Sequence, residues 1–344
     1  MTLIGWDIGG ANLKAARIEA GRVVAAAQLP CAPHLGLAQI ETALREMSAL
    51  LGSAERHAVT MTAELSDAFP DRDSGVVSIA AIFAREISAD TRYYAGARGF
   101  VDKAGVADCA GAIASANWRA SAELVARGLD EALFVDMGST TTDIVPIRAG
   151  KVAALGRDDA GRLAQGELVY TGLLRGDPTA GLSVAPFAGR WTALVGEQFA
   201  GMADVHRLLG QIPEDADRLP TADGRPKSLE ASRARLARLV GRDLREAAPQ
   251  QWDALAVFFA RAQLRRIEDA IALIASREAA AQGAPIVGAG IGRGLIADFA
   301  ARESRAYRDF AQFLPATGEA ARAAADCAPA CAVALLLAGE TAFS

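Results

Sequence analysis

Asp7-Ile8-Gly9-Gly10-Ala11-Asn12-Leu13-Lys14 brings a carboxylate, two glycines, an amide and an ammonium close together in the chain. Such a set suits an anion and its counter-ion. Gly9 and Gly10 can adopt positive φ and let backbone N–H groups approach a phosphate, Asp7 can hold Mg2+, and Lys14 adds a point charge. The lesser alternative, for the string read alone, is a plain glycine hairpin. Asp136-Met137-Gly138-Ser139-Thr140-Thr141-Thr142-Asp143 repeats the logic with hydroxyls and two carboxylates. It could cradle a second phosphate and its Mg2+, or be a simple Ser/Thr turn. A third glycine turn, with Gly288, Gly290 and Gly292 after Pro285-Ile286-Val287, could bring backbone to a phosphate or nucleotide at a helix N-terminus. No acidic residue follows at the distance a dinucleotide fingerprint requires.

Other side chains are weaker candidates. Thr62, Glu64 and Asp67 follow an apolar run and precede Pro70, so they either line a cleft or cap a helix. Glu167 and Tyr170 are candidate substrate contacts, although a strand tyrosine is commonly just packed. Asn117-Trp118 reads as a helix anchor and His206 as structural. With three histidines and four dispersed cysteines, neither a His-based metal centre nor a disulfide framework is expected.

These residues need elements to hold them. Leu3–Ile8, Leu13–Ile18 and Val23–Leu29 read as three strands joined by hairpins. A helix follows over Leu35–Leu51, with apolar residues at 37, 40, 44, 47 and 51. His57–Met61 reads as a strand, and Val76–Ile87 and Val106–Arg127 as helices. Then the pattern restarts: Ala132–Val135, Thr141–Ile147 and Val152–Leu155 are again strand, turn, strand, turn, strand. The restart implies two related lobes, 1–128 and 129–344. Helices follow at Ala231–Val240 and Gln250–Ser276, with Asp215–Lys227 as a surface loop. A strand at Pro285–Val287, a helix from Ile291 and a final apolar helix (330–341), which could pack back on the first lobe, close the pattern.

Composition limits the partners. The 344 residues carry 36 Lys plus Arg against 41 Asp plus Glu, a net charge of −5 that argues against a nucleic-acid or anionic-membrane footprint. No basic-then-apolar leader opens the sequence, and the run Ala328–Ala338 is shorter than the ~20 residues a bilayer requires. A cytoplasmic protein with small-molecule partners is expected. Oligomeric state, a homodimer included, is left open.

The three turns, in this order, resemble the phosphate-1, phosphate-2 and adenosine motifs of the acetate and sugar kinase/Hsp70/actin superfamily. Within it the chain is similar to the hydantoinase A/oxoprolinase-like group, and more narrowly to proteins of tetrahydromethanopterin-linked C1 transfer related to methanofuran-biosynthesis condensing enzymes. That narrower likeness is carried by Asp7–Lys14, Met61–Asp67, Asn117-Trp118, Gly166–Gly172 and Met202–Gly210. The resemblance implies an α/β, two-lobed actin-like ATPase fold, each lobe a mixed sheet opened by β-hairpins and flanked by helices. It also implies a transferase joining an aminomethyl-furanmethyl diphosphate to a phenolic acceptor, with release of diphosphate. On this reading Asp7 and Asp136 hold Mg2+, and Lys14 stabilises the leaving group. Asp143 and Glu64 are candidate bases, and Thr62, Glu167 and Tyr170 contact substrate. Phosphate contacts fall to Gly9, Gly10, Asn12, Gly138, Ser139, Thr140, Thr141, Gly288 and Gly290. The alternatives are an ATP-using kinase or oxoprolinase-like hydrolase, and a non-catalytic nucleotide-binding regulator. Ala11, where superfamily kinases carry Gly-Gly-Thr, and Ala289 between two glycines both weigh against ATP as a reactant.

Overall fold

Alternation along the first strand decides which side of the molecule each residue serves. The computed structural model describes residues 1–87, 90–213, 216–218, 220–277 and 283–341. In β1 (Thr2–Ile8), Ile4, Trp6 and Ile8 enter one apolar core, while Leu3 enters another and Asp7 shares its face. β1 pairs antiparallel with β2 (Asn12–Glu19), which pairs antiparallel with β3 (Arg22–Pro30). On its other edge β1 runs parallel to β4 (Arg56–Met61), then come β5 (Asp90–Tyr94) and β6 (Phe100–Val101), in the order β3-β2-β1-β4-β5-β6. Helices α1 (Ala38–Leu51) and α2 (Arg72–Glu86) cover the Trp6 face through Ile40, Leu44, Met47, Val76, Ile79 and Phe83.

The second sheet repeats the design. β7 (Ala132–Met137) pairs antiparallel with β8 (Thr142–Arg148), and β8 with both β9 (Lys151–Val152) and β10 (Leu168–Val169). β13 (Ile286–Ala289) and β14 (Tyr307–Asp309) extend β7 in parallel, giving β10-β8-β7-β13-β14. Each sheet is therefore an antiparallel meander whose first strand carries the parallel strands, the two-lobed actin-like fold. Leu133, Val135 and Met137 face α8 (Pro249–Arg277) and α9 (Arg293–Arg302), whereas Phe134 and, on the same face, Asp136 look toward the first sheet.

Between the sheets lies a helical layer of α4 (Asn117–Ala126) and α11 (Ala328–Thr341). Small residues let α11 come very close: a Cβ on Gly5 would sit 1.9 Å from the Ala330 carbonyl oxygen. Its apolar surface is thus spent on the core. No single described helix is long and apolar enough to cross a membrane. The bent pair formed by α10 (Gly318–Asp326) and α11 meets such a test of length and composition, with a 102° break. Its buried members, Ala324, Cys327 and Cys331 to Leu337 among them, belong to the central core.

Three details depart from the sequence reading. The helix expected over Val106–Arg127 is broken: α3 (Ala110–Ile113) ends and Ser115 takes φ 51 before α4 begins. That break aims the Ser115 N–H and hydroxyl at Glu64, at 2.8 and 2.9 Å from Oε1. The strand expected over Val152–Leu155 stops at Val152, because the Leu155 and Gly156 N–H groups are taken by the Glu167 carboxylate, each at 2.8 Å. A hairpin of β11 (Val184–Phe187) and β12 (Arg190–Ala193), absent from the sequence reading, packs on α6 (Met202–Leu208), α7 (Leu229–Leu239) and the first turns of α8 around Phe187 and Trp252. Of the loop expected over Asp215–Lys227, Asp215 and Leu219 lie outside the described residues, and the rest carries neither helix nor strand.

Candidate active site

Two turns of the same construction meet at the cleft. After β1, Gly9 N–H donates to the Asn12 carbonyl at 3.0 Å, and after β7, Gly138 N–H donates to that of Thr141 at 2.9 Å. Gly9 is dictated by contact, since a Cβ there would lie 2.7 Å from the Asn12 oxygen; Gly10 faces open space. The second turn is clamped from behind. Leu173 N–H donates to Gly138, and Leu174 and Arg175 N–H both donate to Ser139. A Cβ on Gly172 would come within 2.5 Å of Thr140 N. Gln263 of α8 fixes this clamp by donating to Thr171 Oγ1 and the Gly172 carbonyl, and His206 of α6 in turn holds Gln263 at 2.7 Å. Burial keeps His206 below the usual imidazole range. The runs 166–172 and 202–210 thus brace the second turn, and His206 is structural, as its apolar setting indicated.

Beneath the turns lie Asp7 and Asp136, 5% and 8% exposed. Ladder register puts Lys14 opposite Asp7 and Asp143 opposite Asp136. Burial pushes Asp7 up to about 6, against the opposing pull of Lys14 and the Asn117 amide, which donates to Oδ1 at 3.5 Å. Burial pushes Asp136 up to about 7, with Lys14 opposing and Asp143 and Asp7 adding to the rise. Burial works against the Lys14 charge too, but Asp7 and Asp136 outweigh it and hold the ammonium above its ordinary range. Two buried carboxylates competing for one lysine form a donor set that a divalent cation would satisfy. No group of three or more candidate protein ligands exists among the described residues. A cation here would depend on one or two carboxylates plus substrate oxygens, which is how Mg2+ is usually held.

The cavity at the two turns has a volume of about 310 Å3 and is lined by Gly10, Ala11, Thr140 and Thr141 from the turns, with Thr62, Asp67, Asp143 and Tyr170 around them. Tyr170 is exposed rather than packed. A second cavity of about 570 Å3 shares Ala11, His34, Thr140 and Arg175 with the first and adds Asn12 and Ser139. Asp159, Arg162 and Ser115 also line the first cavity, and the sequence did not single them out. Asp158 caps α5 (Asp159–Ala164) by accepting from Gly161 N–H. Arg162 is buried, donates to Asp143 at 2.8 Å and to the Glu167 carbonyl at 2.7 Å, and lies 3.9 Å over the Trp118 ring.

Asp7, Gly9, Lys14, Asp136 and Gly138 line neither cavity, and four further expected site residues sit away from both. Glu167 is fully buried and accepts from Leu155, Gly156 and Arg277, so it is a scaffold group rather than a substrate contact. Glu64 lies behind the cavity wall, 1% exposed, with burial raising its pKa. Gly288 is buried where a Cβ would meet the Tyr307 hydroxyl at 2.5 Å, which explains the glycine without a phosphate. Gly290, at φ 76, is buried against Asp136 Oδ1, and Gly292 N–H donates to the Met137 carbonyl, so the third turn closes over the end of β7.

Residues 55–336 match the hydantoinase/oxoprolinase family model. Over 243 residues, 70% of this chain and 72% of the relative, the sequence is 31% identical to (4-{4-[2-(γ-L-glutamylamino)ethyl]phenoxymethyl}furan-2-yl)methanamine synthase of Methanocaldococcus jannaschii. The Methanococcus vannielii protein of that name is 39% identical over 127 residues, 36% of this chain and 56% of the relative. Among solved structures, a nucleotide-free acetone carboxylase superposes with a TM-score of 0.53 at 10% identity, covering 96% of this chain and 70% of that one. That likeness concerns the fold alone.

Proposed function

The chain belongs to the hydantoinase/oxoprolinase family and aligns with named synthases, and from that premise we propose that it is a transferase of methanofuran biosynthesis. It would join an aminomethyl-furanmethyl diphosphate to the phenol of a tyrosine- or tyramine-derived acceptor, forming an aryl ether and releasing diphosphate. The observation that carries this reading is the pair of buried carboxylates, Asp7 and Asp136, sharing Lys14 beneath two glycine turns.

The chemistry follows from where charge appears. The furan oxygen can stabilise positive charge on the adjacent CH2, so the demanding task is to hold the departing diphosphate. Ser139, Thr140 and Thr141, which border the two cavities, would contact the diphosphate oxygens, and Lys14 would answer the growing charge. Asp7 and Asp136 are the residues that would hold Mg2+, which when bound neutralises diphosphate oxygens. Thr62 and Tyr170 shape the wall against the organic part.

ATP has no place in this scheme; at the third turn Gly288 and Gly290 pack against Tyr307, Asp136 and Met137, while Gly292 borders a separate cavity of about 450 Å3. Incubating the protein with the furan diphosphate, a phenolic acceptor and Mg2+, with and without ATP, tests it. Ether and diphosphate are expected in both arms. Ether formation strictly dependent on ATP hydrolysis would overturn the reading in favour of an ATP-using enzyme.

A further inference from the structure

The phenol, with a solution pKa of ~10, needs a base. Four carboxylates stand at or behind the cavity: Asp67 is exposed to solvent, and two of the others are unavailable. Asp143 is committed to the buried Arg162 guanidinium at 2.8 Å, and Glu64 does not reach the cavity. Asp159, at the start of α5, lines the same cavity as Tyr170 and Thr141. We propose that Asp159 is the general base that takes the phenolic proton, positioned by Ser115 and Arg72; this rests on the ether-forming reading above.

The surroundings of Asp159 suit that task. Arg72 of α2 reaches Asp159 Oδ2 at 3.3 Å, and the Ser115 hydroxyl lies 3.5 Å from the same oxygen. Ser115 is held by Glu64, whose second oxygen is buried with no hydrogen-bond partner. The left-handed backbone at Ser115 is what places its hydroxyl between the two carboxylates. Groups facing Asp159 are Arg72 from the first lobe, Arg162 on its own helix, Asp143 on β8 and Ser115 backed by Glu64. Burial raises its pKa above the ordinary carboxylate range, against both arginines, so its conjugate acid holds a proton more firmly than an exposed carboxyl would.

The step balances without another reactant. The phenol O–H bond breaks and its proton passes to Asp159, while an oxygen lone pair forms the new C–O bond to the furan CH2. The bond from that carbon to diphosphate breaks, and its electron pair leaves on the diphosphate. The proton then returns to solvent through the open cavity.

The test compares two acceptors, an ordinary alkylphenol and a fluorinated phenol that ionises near neutral pH. With the first, Asp159→Asn should lose about 10²–10⁴-fold in turnover, the range for a general base. With the second, the loss should shrink below about ten-fold, since a pre-ionised acceptor bypasses the base. Arg72→Gln changes a side chain that is 45% exposed and should fold whatever becomes of Asp159→Asn. Without that cation Asp159 holds its proton to higher pH, so the acidic limb of the pH–rate profile should move upward. Equal losses on both phenols, or an unmoved acidic limb in Arg72→Gln, would overturn the proposal. A wild-type enzyme that makes no ether from either phenol would instead overturn the function reading beneath it.

Discussion

The two glycine hairpins share a turn and differ in what faces each catalytic-site aspartate across the ladder. Asp7 is opposite Lys14, an opposite charge, whereas Asp136 is opposite Asp143, a like charge. Like charges directly opposite on a sheet are destabilising, so the second hairpin requires a cation from outside the ladder. Arg162 of α5 supplies it, buried, stacked on Trp118 and paired with Asp143. One lobe thus carries its cation within the hairpin and the other imports one. The difference separates their settings: Arg162 gives both terminal nitrogens to protein groups, whereas Lys14 interacts with both Asp7 and Asp136.

The largest expected effect comes from removing what the hairpins share. Asp7→Asn and Asp136→Asn should each abolish Mg2+-dependent ether formation with an unchanged circular-dichroism spectrum. Near-normal turnover in both would show that the two turns do not act on one ligand.

The cations should then separate. Lys14→Met should cost about 10²–10³-fold in turnover, as loss of an electrostatic contact to developing charge does. Its effect on stability should be smaller, because burial has raised Asp7 and Asp136 so far that both can take up a proton once the lysine is gone. Arg162→Leu should do the reverse in unfolding assays, losing about 3–5 kcal/mol by leaving a buried partner unpaired. Part of that should return in the Arg162→Leu, Asp143→Asn double variant, followed by urea titration. Comparable stability losses for the two cations would erase the distinction.

The smallest effect is one of pH. Asp136 holds its proton to about pH 7 in the folded protein but only to ~4 when unfolded. Between those values the folded state binds more protons, so this group's contribution to stability falls as pH rises and stays low above 7. Metal-free Asp136→Asn should therefore melt above the wild type at pH 8, with the gap closing near pH 4. Scanning calorimetry at the two pH values reads this directly.

Much of this arrangement was legible because hairpins and alternation are local. Asp7 and Lys14 lie in one short string, and period-2 patterning puts Asp7 on the face of Leu3 rather than of Trp6. The outer frame of strands and long helices follows from the same periodicities. What stayed hidden depends on contacts between distant segments. Glu167 looks like a substrate contact until the unpaired N–H groups of Leu155 and Gly156 are found upon it. Asp159 carries no local signal, and its setting appears only when Ser115 and Arg72, from the other lobe, are brought beside it. Gly288 and Gly290 look like ligand glycines, yet the side chains that require them, Tyr307 and Asp136, come from other strands.

The contact of α11 with β1 carries a consequence for how the chain is made. Residues 328–341 cover the face of a strand that begins at Thr2, so the first sheet is completed by a segment translated only after the second sheet. Synthesis at about 5–20 residues per second usually lets an N-terminal unit fold before the rest arrives. Here the Leu3 and Ala58 surface waits, exposed, while the whole second sheet is made. Pairings of such long sequence separation are slow to form and leave apolar surface open to aggregation in the meantime. A nascent chain arrested before residue 328 should accordingly be cleaved by protease within the first sheet, at the opposite end of the sequence from the missing helix.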